Sequence, residues 1–481
     1  MNLHGVLFLL GRILLALAAA LVIPAAIAWF NDGPELRAFL VSVVLAAVAG
    51  LVLTRGFRQK HDFRFGRREA FVLVAAAWVT ASIVGAFPYV FLKGPGFVVD
   101  ALFESASGFT TTGASILTDV EVESDALLIW RSLTQWLGGM GIIVLGIAIL
   151  PKLAIGGMEL LGAEAPGPTA EKLTPRIAQT AKALWGIYAA LTAIEAAILF
   201  FLGLRPVEAI AHAFTTMATG GFSTRNASIG AFDSVAVDLV VTLFMVLAGA
   251  NFALHFKVVR GKPGALFRDP EFQIYIGILV GATILIATNL VAQGGHDALS
   301  ALRDALFQVT SIVTTTGFAT ATFSAWPYFS AVLLFFLLFM GGCAGSTGGS
   351  IKVVRNVIVI RKLATDLRRK IHPHAVLPVR LGARAIPDDV VASVTTFFIL
   401  FLTLFAAGGL ALVLLGLDPL TSFSASATCL GNVGPGFGIV GPDRTFAPLP
   451  VAAKLILVAE MLIGRLEIYT ILVLLFLRRR A

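Results

Sequence analysis

Charge is what this chain has least of. Asp, Glu, Lys and Arg make up 13% of its 481 residues against a hydrophobic share of 58%, too few polar side chains to cover a water-exposed surface. The natural solvent for most of the chain is lipid. Cysteine is scarce as well: Cys343 and Cys429 are the whole supply, and both lie in membrane-embedded segments without disulfide or metal-ligand spacing, so they carry no redox information. No H-E-x-x-H metal motif occurs, and no nucleophile stands beside a plausible base. Gly436–Gly441 fits G-x-G-x-x-G, but Pro442 and Asp443 follow where a helix should begin, and Gly345–Ser350 lacks the lysine of a phosphate loop. The chain is therefore not expected to be an enzyme, and no covalent cofactor is expected. The Asn226-Ala227-Ser228 sequon carries little weight.

What remains is a series of apolar runs. Val6–Phe30, Glu69–Leu92, Leu127–Leu150, Lys182–Leu204, Val235–Phe256, Phe272–Ala292, Val390–Leu417 and Val451–Leu477 are each long enough to cross a hydrocarbon core of about 30 Å as a helix. Ala38–Leu53 is shorter and is expected to pair with the first run as an N-terminal hairpin over residues 1–55. Phe329–Val359 is long but interrupted by glycines. Ala26-Ile27-Ala28 resembles a signal-peptidase site, yet Arg12 breaks the run before it and a second span follows, so an uncleaved helix is expected.

The formal charge of +8 would point to nucleic acid if it formed one patch, and it does not. Basic residues gather in Arg55–Arg68, Lys152–Arg176, Lys257–Arg268, Arg361–Arg384 and the terminal Arg478, Arg479 and Arg480, while Asp119–Asp125 is acidic. This is the positive-inside pattern. It predicts a multi-pass protein with both termini cytoplasmic, in contact with membrane lipid and not with nucleic acid.

Within the runs a unit recurs four times: a span, a short apolar segment, a Thr/Gly-rich stretch and a second span. The units occupy residues 69–150, 179–258, 271–365 and 388–478. The Thr/Gly stretches read Thr110-Thr111-Thr112-Gly113, Ala218-Thr219-Gly220-Gly221, Thr314-Thr315-Thr316-Gly317 and Gly431-Asn432-Val433-Gly434, the fourth departing most. Before them lie Val99–Phe109, Pro206–Met217, Leu299–Val313 and Pro419–Ala427, too short to cross a bilayer and so expected to be half-helices that enter and return.

Irregular backbone at that depth is tolerated only around an aqueous path, and four such loops most simply share one. A cation shedding its water needs a ring of oxygens at contact distance. Extended Thr-Thr-Gly backbones provide carbonyls, with threonine hydroxyls added and glycine accepting positive φ. Half-helix C-termini add roughly half a negative elementary charge each. An all-α pore selective for monovalent cations is the expectation, with ion-binding residues Thr111, Thr112, Gly113, Thr219, Gly220, Gly221, Thr315, Thr316, Gly317, Asn432, Val433 and Gly434. An ordinary helix cap is the competing reading of any single Thr-Thr-Gly.

Together with these loops, Gly108-Phe109-Thr110-Thr111-Thr112-Gly113, Gln135-Trp136-Leu137-Gly138-Gly139-Met140-Gly141, Gly341-Gly342-Cys343-Ala344-Gly345-Ser346-Thr347-Gly348-Gly349, Asn432-Val433-Gly434-Pro435-Gly436 and Gly464-Arg465-Leu466-Glu467 resemble the Trk/Ktr/HKT superfamily of potassium transporters, and within it the TrkH-type bacterial subunits. The N-terminal hairpin favours that type over KtrB. The resemblance covers nearly the whole chain. It implies potassium as the transported ion, since Gly113 stands where a serine goes with sodium. It also implies a homodimer in the bacterial inner membrane on a cytoplasmic ring of TrkA-type regulatory subunits, which alone would bind a nucleotide (ATP, ADP or NAD). A sodium-selective or sodium/proton-coupled transporter on the same scaffold is the alternative, and symport remains open. A polytopic membrane enzyme or scaffold is a third reading, disfavoured by the register of the four loops.

Gly341, Gly342, Cys343, Ala344, Gly345, Ser346, Thr347, Gly348 and Gly349 break their span in mid-membrane. A flexible gate or a tight helix crossing accounts for such a run, and the resemblance implies the gate. Arg465 is expected in mid-span of the last helix, a costly position without a partner; the resemblance puts it beside the filter as a barrier coupled to gating. Glu467 is expected to face a neighbouring repeat, and Glu104 to be structural more than electrostatic. Lys352 and Arg355 either anchor the glycine loop or snorkel. Glu195, His255 and Asp304 are assigned no transport role.

Overall fold

In lipid each backbone N–H and C=O must find a partner within its own segment, so the apolar runs fold as helices. The computed structural model describes residues 3–58, 66–148, 173–375 and 377–470. Within them, six helices are long and apolar enough to cross a membrane. The basic segment from Lys152 to Lys172, and Arg478, Arg479 and Arg480, lie outside the described residues.

Helices α1 (Leu3–Phe30) and α2 (Leu36–Gly56) form a hairpin. They approach closely because Gly11 faces Gly50: a Cβ on either would lie 2.9 Å from the other's carbonyl oxygen. Four pairs of longer elements follow, each embracing a short helix. α3 (Arg67–Lys93) and α5 (Asp125–Ala148) flank α4 (Val98–Phe109). α6 (Leu173–Phe201) and α8 (Val235–Gly249) with α9 (Phe252–Val259) flank α7 (Pro206–Met217). α10 (Pro270–Gly294) and the broken pair α12 (Tyr328–Leu337) and α13 (Val353–Ile371) flank α11 (Ala298–Val313). α14 (Asp388–Leu414) and α16 (Val451–Arg465) flank α15 (Pro419–Gly431). A two-stranded hairpin, Arg380–Leu381 with Arg384–Ala385, departs from the all-helical expectation.

The short helices begin where their sequences say they should. Pro206 and Pro419 occupy first-turn positions that need no N–H, and Asp297 and Asp418 cap α11 and α15 by accepting from Ser300 and Thr421 backbone N–H groups. α15 continues to Gly431, one turn past the expected end at Ala427.

Two expected spans are not continuous helices. Val235–Phe256 bends by 101° between α8 and α9. The break falls at Ala250 and Asn251, where Asn251 leaves the helix to cap α9 through Oδ1 and the Ala253 N–H, 2.9 Å apart. Val451–Leu477 is interrupted after Arg465 by a turn at 466–468, with Glu467 and Ile468 at φ of 58° and 50°, and helix resumes at Tyr469. Its residues from 471 onward lie outside the described residues.

Candidate functional site

All four short helices end in the same way. The residue two before each matching glycine is left-handed: Thr111 at φ 53°, Thr219 at 52°, Thr315 at 59° and Asn432 at 54°. The next N–H reaches back five residues, from Thr112 to Ser107 O, Gly220 to Thr215 O, Thr316 to Ser311 O and Val433 to Thr428 O, at 2.8 to 2.9 Å. These are Schellman terminations with threonine or asparagine where glycine is usual. A β-branched residue there is strained, at roughly 1–3 kcal/mol. A helix cap thus accounts for the start of each of the four loops. The fully extended Thr-Thr-Gly conformation expected from sequence is corrected at its first residue, because the cap needs that residue's positive φ.

One residue further on, the four glycines are again left-handed, Gly113, Gly221, Gly317 and Gly434 at φ 83°, 79°, 83° and 112°. Their missing Cβ atoms define how the loops meet. A Cβ on Gly113 would lie 2.1 Å from Gly220 O, on Gly221 2.1 Å from Thr316 O, on Gly317 2.0 Å from Val433 O, and on Gly434 2.7 Å from Thr112 O. Each glycine therefore presses on the carbonyl preceding the matching glycine of the next loop, and the fourth returns to the first. The contacts close a ring. On one side of it an open cavity of about 140 Å³ is lined by all four glycines together with Arg131, Arg225 and Asp443.

Side chains hold the ring from outside. Gln135 on α5 donates through Nε2 to Gly220 O (2.7 Å) and accepts through Oε1 from Phe222 N–H (3.1 Å), stapling the second loop. Asn432 Nδ2 donates to Thr112 Oγ1 (3.0 Å) and Met461 O (3.0 Å), joining the fourth loop to the first. Glu104, fully buried in α4, accepts from Ile116 N–H (2.9 Å) and pairs with Arg131 Nε (2.8 Å). Arg131 in turn donates to Ser223 O (3.0 Å) and stacks on Phe222, with 4.1 Å from guanidinium carbon to ring centre. In the exposed loops, Asn226 spans the sequon and the acidic segment: its Oδ1 accepts from Val120 N–H and its Nδ2 donates to Asp119, holding that carboxyl below its usual range.

Opposite the cavity, residues 341–349 run as irregular chain between α12 and α13. Gly349 N–H donates to Thr315 Oγ1 (2.7 Å), Thr347 Oγ1 donates to Met217 O (3.1 Å), and a Cβ on Gly349 would lie 2.4 Å from Gly431 O. The segment thus touches the second, third and fourth loops. It is anchored at the bend of the second unit, where Cys343 N–H donates to Gly249 O (2.8 Å) and Phe252 N–H to Gly345 O (3.1 Å). The bend is what frees those groups to bond elsewhere.

Arg465 closes the underside at the end of α16, where the expected span is broken by a turn. Its Nη1 donates to Thr347 O (2.9 Å) and its Nη2 to Gly138 O (3.2 Å). Glu467 pairs with Arg355 of α13, and Lys352 donates to Gly348 O. Lys352 and Arg355 are both buried and do not snorkel; Lys352 holds the segment, and Arg355 holds Glu467. Glu195 is buried in α6, His255 Nε2 lies 2.9 Å from Leu247 O, and Asp304 lies on α11; none adjoins the ring. Sequence reasoning missed Asn251 and Glu271, which also contacts residues 341–349. A polar residue just after Leu-Ala-Gly-Ala in an apolar run was the available signal for the first.

Comparison with known proteins shows the family to which the chain belongs. Residues 37–478 match the TrkH family, described as cation transport proteins. The chain is 40% identical over 480 residues to the Trk system potassium uptake protein TrkH of Salmonella typhimurium, covering 98% of each, and 41% identical to that of Vibrio parahaemolyticus, covering 99% of each. Over 86% of each chain it is 37% identical to the Trk system potassium uptake protein TrkG of Escherichia coli. It superposes with TM-score 0.91, 38% identity and 99% coverage of each chain on the crystal structure of the potassium transporter TrkH from Vibrio parahaemolyticus. The chain belongs to the TrkH family of cation transport proteins.

Proposed function

We propose that this chain takes up potassium ions across a bacterial inner membrane through the ring of four glycine loops. The observation that carries the reading is the cyclic contact of Gly113, Gly221, Gly317 and Gly434 with their neighbours' carbonyls. Four re-entrant segments arranged as a closed ring at membrane depth leave the axis as the place where their irregular backbone is tolerated. The repeats at 69–150, 179–258, 271–365 and 388–478, with the hairpin at 1–55, then form one pore. Carbonyls of Thr111, Thr112, Thr219, Gly220, Thr315, Thr316, Asn432 and Val433 replace the hydration shell, and the helix C-termini of α4, α7, α11 and α15 add negative potential. The buried Thr111 hydroxyl, which has no partner among the described residues, is available to the same ion. An inside-negative potential supplies about 2.3 kcal/mol per charge per 100 mV, so inward flow needs no further energy source.

In this reading residues 341–349 are the gate. They lie against three of the four loops on the side opposite the cavity, and Arg465 sets a positive charge beneath them. A cytoplasmic TrkA-type ring, bearing the nucleotide, moves the gate of a homodimer whose termini face the cytoplasm. The names of the relatives support potassium as cargo.

The test is rubidium and sodium uptake in a bacterial strain lacking its own potassium uptake, with and without a TrkA-type partner. Gly113→Ser forces the Cβ against Gly220 O and is expected to lower rubidium uptake strongly and sodium uptake less, shifting the ratio toward sodium. Equal, negligible flux for wild type and variant, with protein present in the membrane, overturns the pore. Arg465→Ala removes two bonds from a charged donor and is expected to raise partner-independent uptake by about tenfold; unchanged uptake overturns the gate.

A further inference from the structure

The segment 341–349 is tied to its surroundings mostly by backbone groups and by Arg465. One tie differs. Glu271, the second residue of α10, is 8% exposed, and its Oε1 accepts two hydrogen bonds. One comes from Ala344 N–H inside the segment (2.7 Å) and the other from Val354 N–H in the first turn of α13 (3.2 Å). A single carboxylate oxygen thereby joins the chain on both sides of Gly345–Gly349. Both donors are backbone N–H groups that would otherwise be left unpaired in a buried place, the second of them at a helix N-terminus where no intrahelical partner exists. α10 is an uninterrupted helix capped by Asp269, so the acceptor rests on a rigid element.

We propose that Glu271 is the positioning residue that clasps the base of the gate: the segment leaves the ring only when Ala344 and Val354 are released from this one oxygen. The proposal rests on the gate reading above. Glu271 touches none of the ring residues among the bonds described, so its effect runs through the segment alone.

Cys343, next to Ala344 and 1% exposed, reports release of the clasp. In full-length protein carrying Cys429→Ala, the labelling of Cys343 by a water-soluble methanethiosulfonate reagent is followed in inside-out vesicles, alongside rubidium uptake in cells without the partner. Glu271→Ala is expected to speed labelling about tenfold and to raise uptake. Glu271→Gln keeps one neutral acceptor and is expected to speed labelling only about threefold. If Glu271→Ala does not reach the membrane, the glutamine variant decides: labelling at the wild-type rate overturns the clasp. Wild-type labelling and uptake in both Glu271 variants, while Arg465→Ala raises uptake, overturns the clasp and leaves the gate standing. Wild-type uptake in all three variants removes the gate and the clasp with it.

Discussion

Gly221→Ala will abolish most rubidium uptake, with a loss of tenfold or more and little change in the amount of protein in the membrane. Two effects combine at this position. Gly221 has φ 79°, where an L side chain costs about 1–3 kcal/mol. Its Cβ would also lie 2.1 Å from Thr316 O, a backbone atom that cannot rotate away. The third loop must therefore shift, and with it an oxygen of the proposed ion path, so the expected cost falls on conduction more than on folding. Each 1.4 kcal/mol of lost ion stabilisation is tenfold. The control is Gly277→Ala on α10, where nothing lies within 4 Å and φ is ordinary. It should leave uptake unchanged and add up to about 1 kcal/mol of helix stability. Uptake by Gly221→Ala at the wild-type rate would remove the ring from the ion's path.

Glu104→Ala should destabilise the protein more than any other single change described here, by about 3–5 kcal/mol, because it strands the buried guanidinium of Arg131. It also releases Ser115 and Ile116, which the carboxylate holds immediately after the first loop. The measurement is the thermal midpoint in detergent. A double variant, Glu104→Gln with Arg131→Met, should recover part of the loss, since a neutral pair no longer buries a lone charge. A midpoint within a degree of wild type for Glu104→Ala would mean that Arg131 is satisfied by Ser223 O, Ser115 Oγ and the Phe222 ring.

Much of this arrangement was legible in the sequence. The short helices announce themselves through Pro206, Pro419, Asp297 and Asp418, and the matching glycines stand in register because only glycine tolerates the close approach each loop makes to the next. The glycine segment was legible as a break for the same reason. What stayed hidden depends on contacts between distant segments. The bend at Ala250 and Asn251 lies inside a run whose hydropathy is unbroken, and it exists because Gly249 O, Gly345 O and the Asn251 amide have partners elsewhere. The break after Arg465 stayed hidden because the residues around it are largely apolar; it follows from the left-handed turn at Glu467 and Ile468. Glu271 looked like an ordinary first-turn acid after Asp269 and Pro270, and nothing local marks it as an acceptor for residues far along the chain.

The closure of the ring has a consequence for biosynthesis. Gly434 packs on Thr112 O, Asn432 bonds Thr112, and Lys454 of α16 pairs with Asp100 of α4 at 2.5 Å. All three join the last-made quarter of the chain to the first. A ribosome delivering the protein from its N-terminus therefore inserts three loops that can close two seams among themselves, while the seams of the third and the first with the fourth stay open until it arrives. The earliest loop waits longest for its neighbour, and these pairings carry the greatest loop-closure cost. Ribosome-stalled chains ending before Pro419 should expose Thr112 and Gly317 to protease, and chains reaching past Arg465 should not.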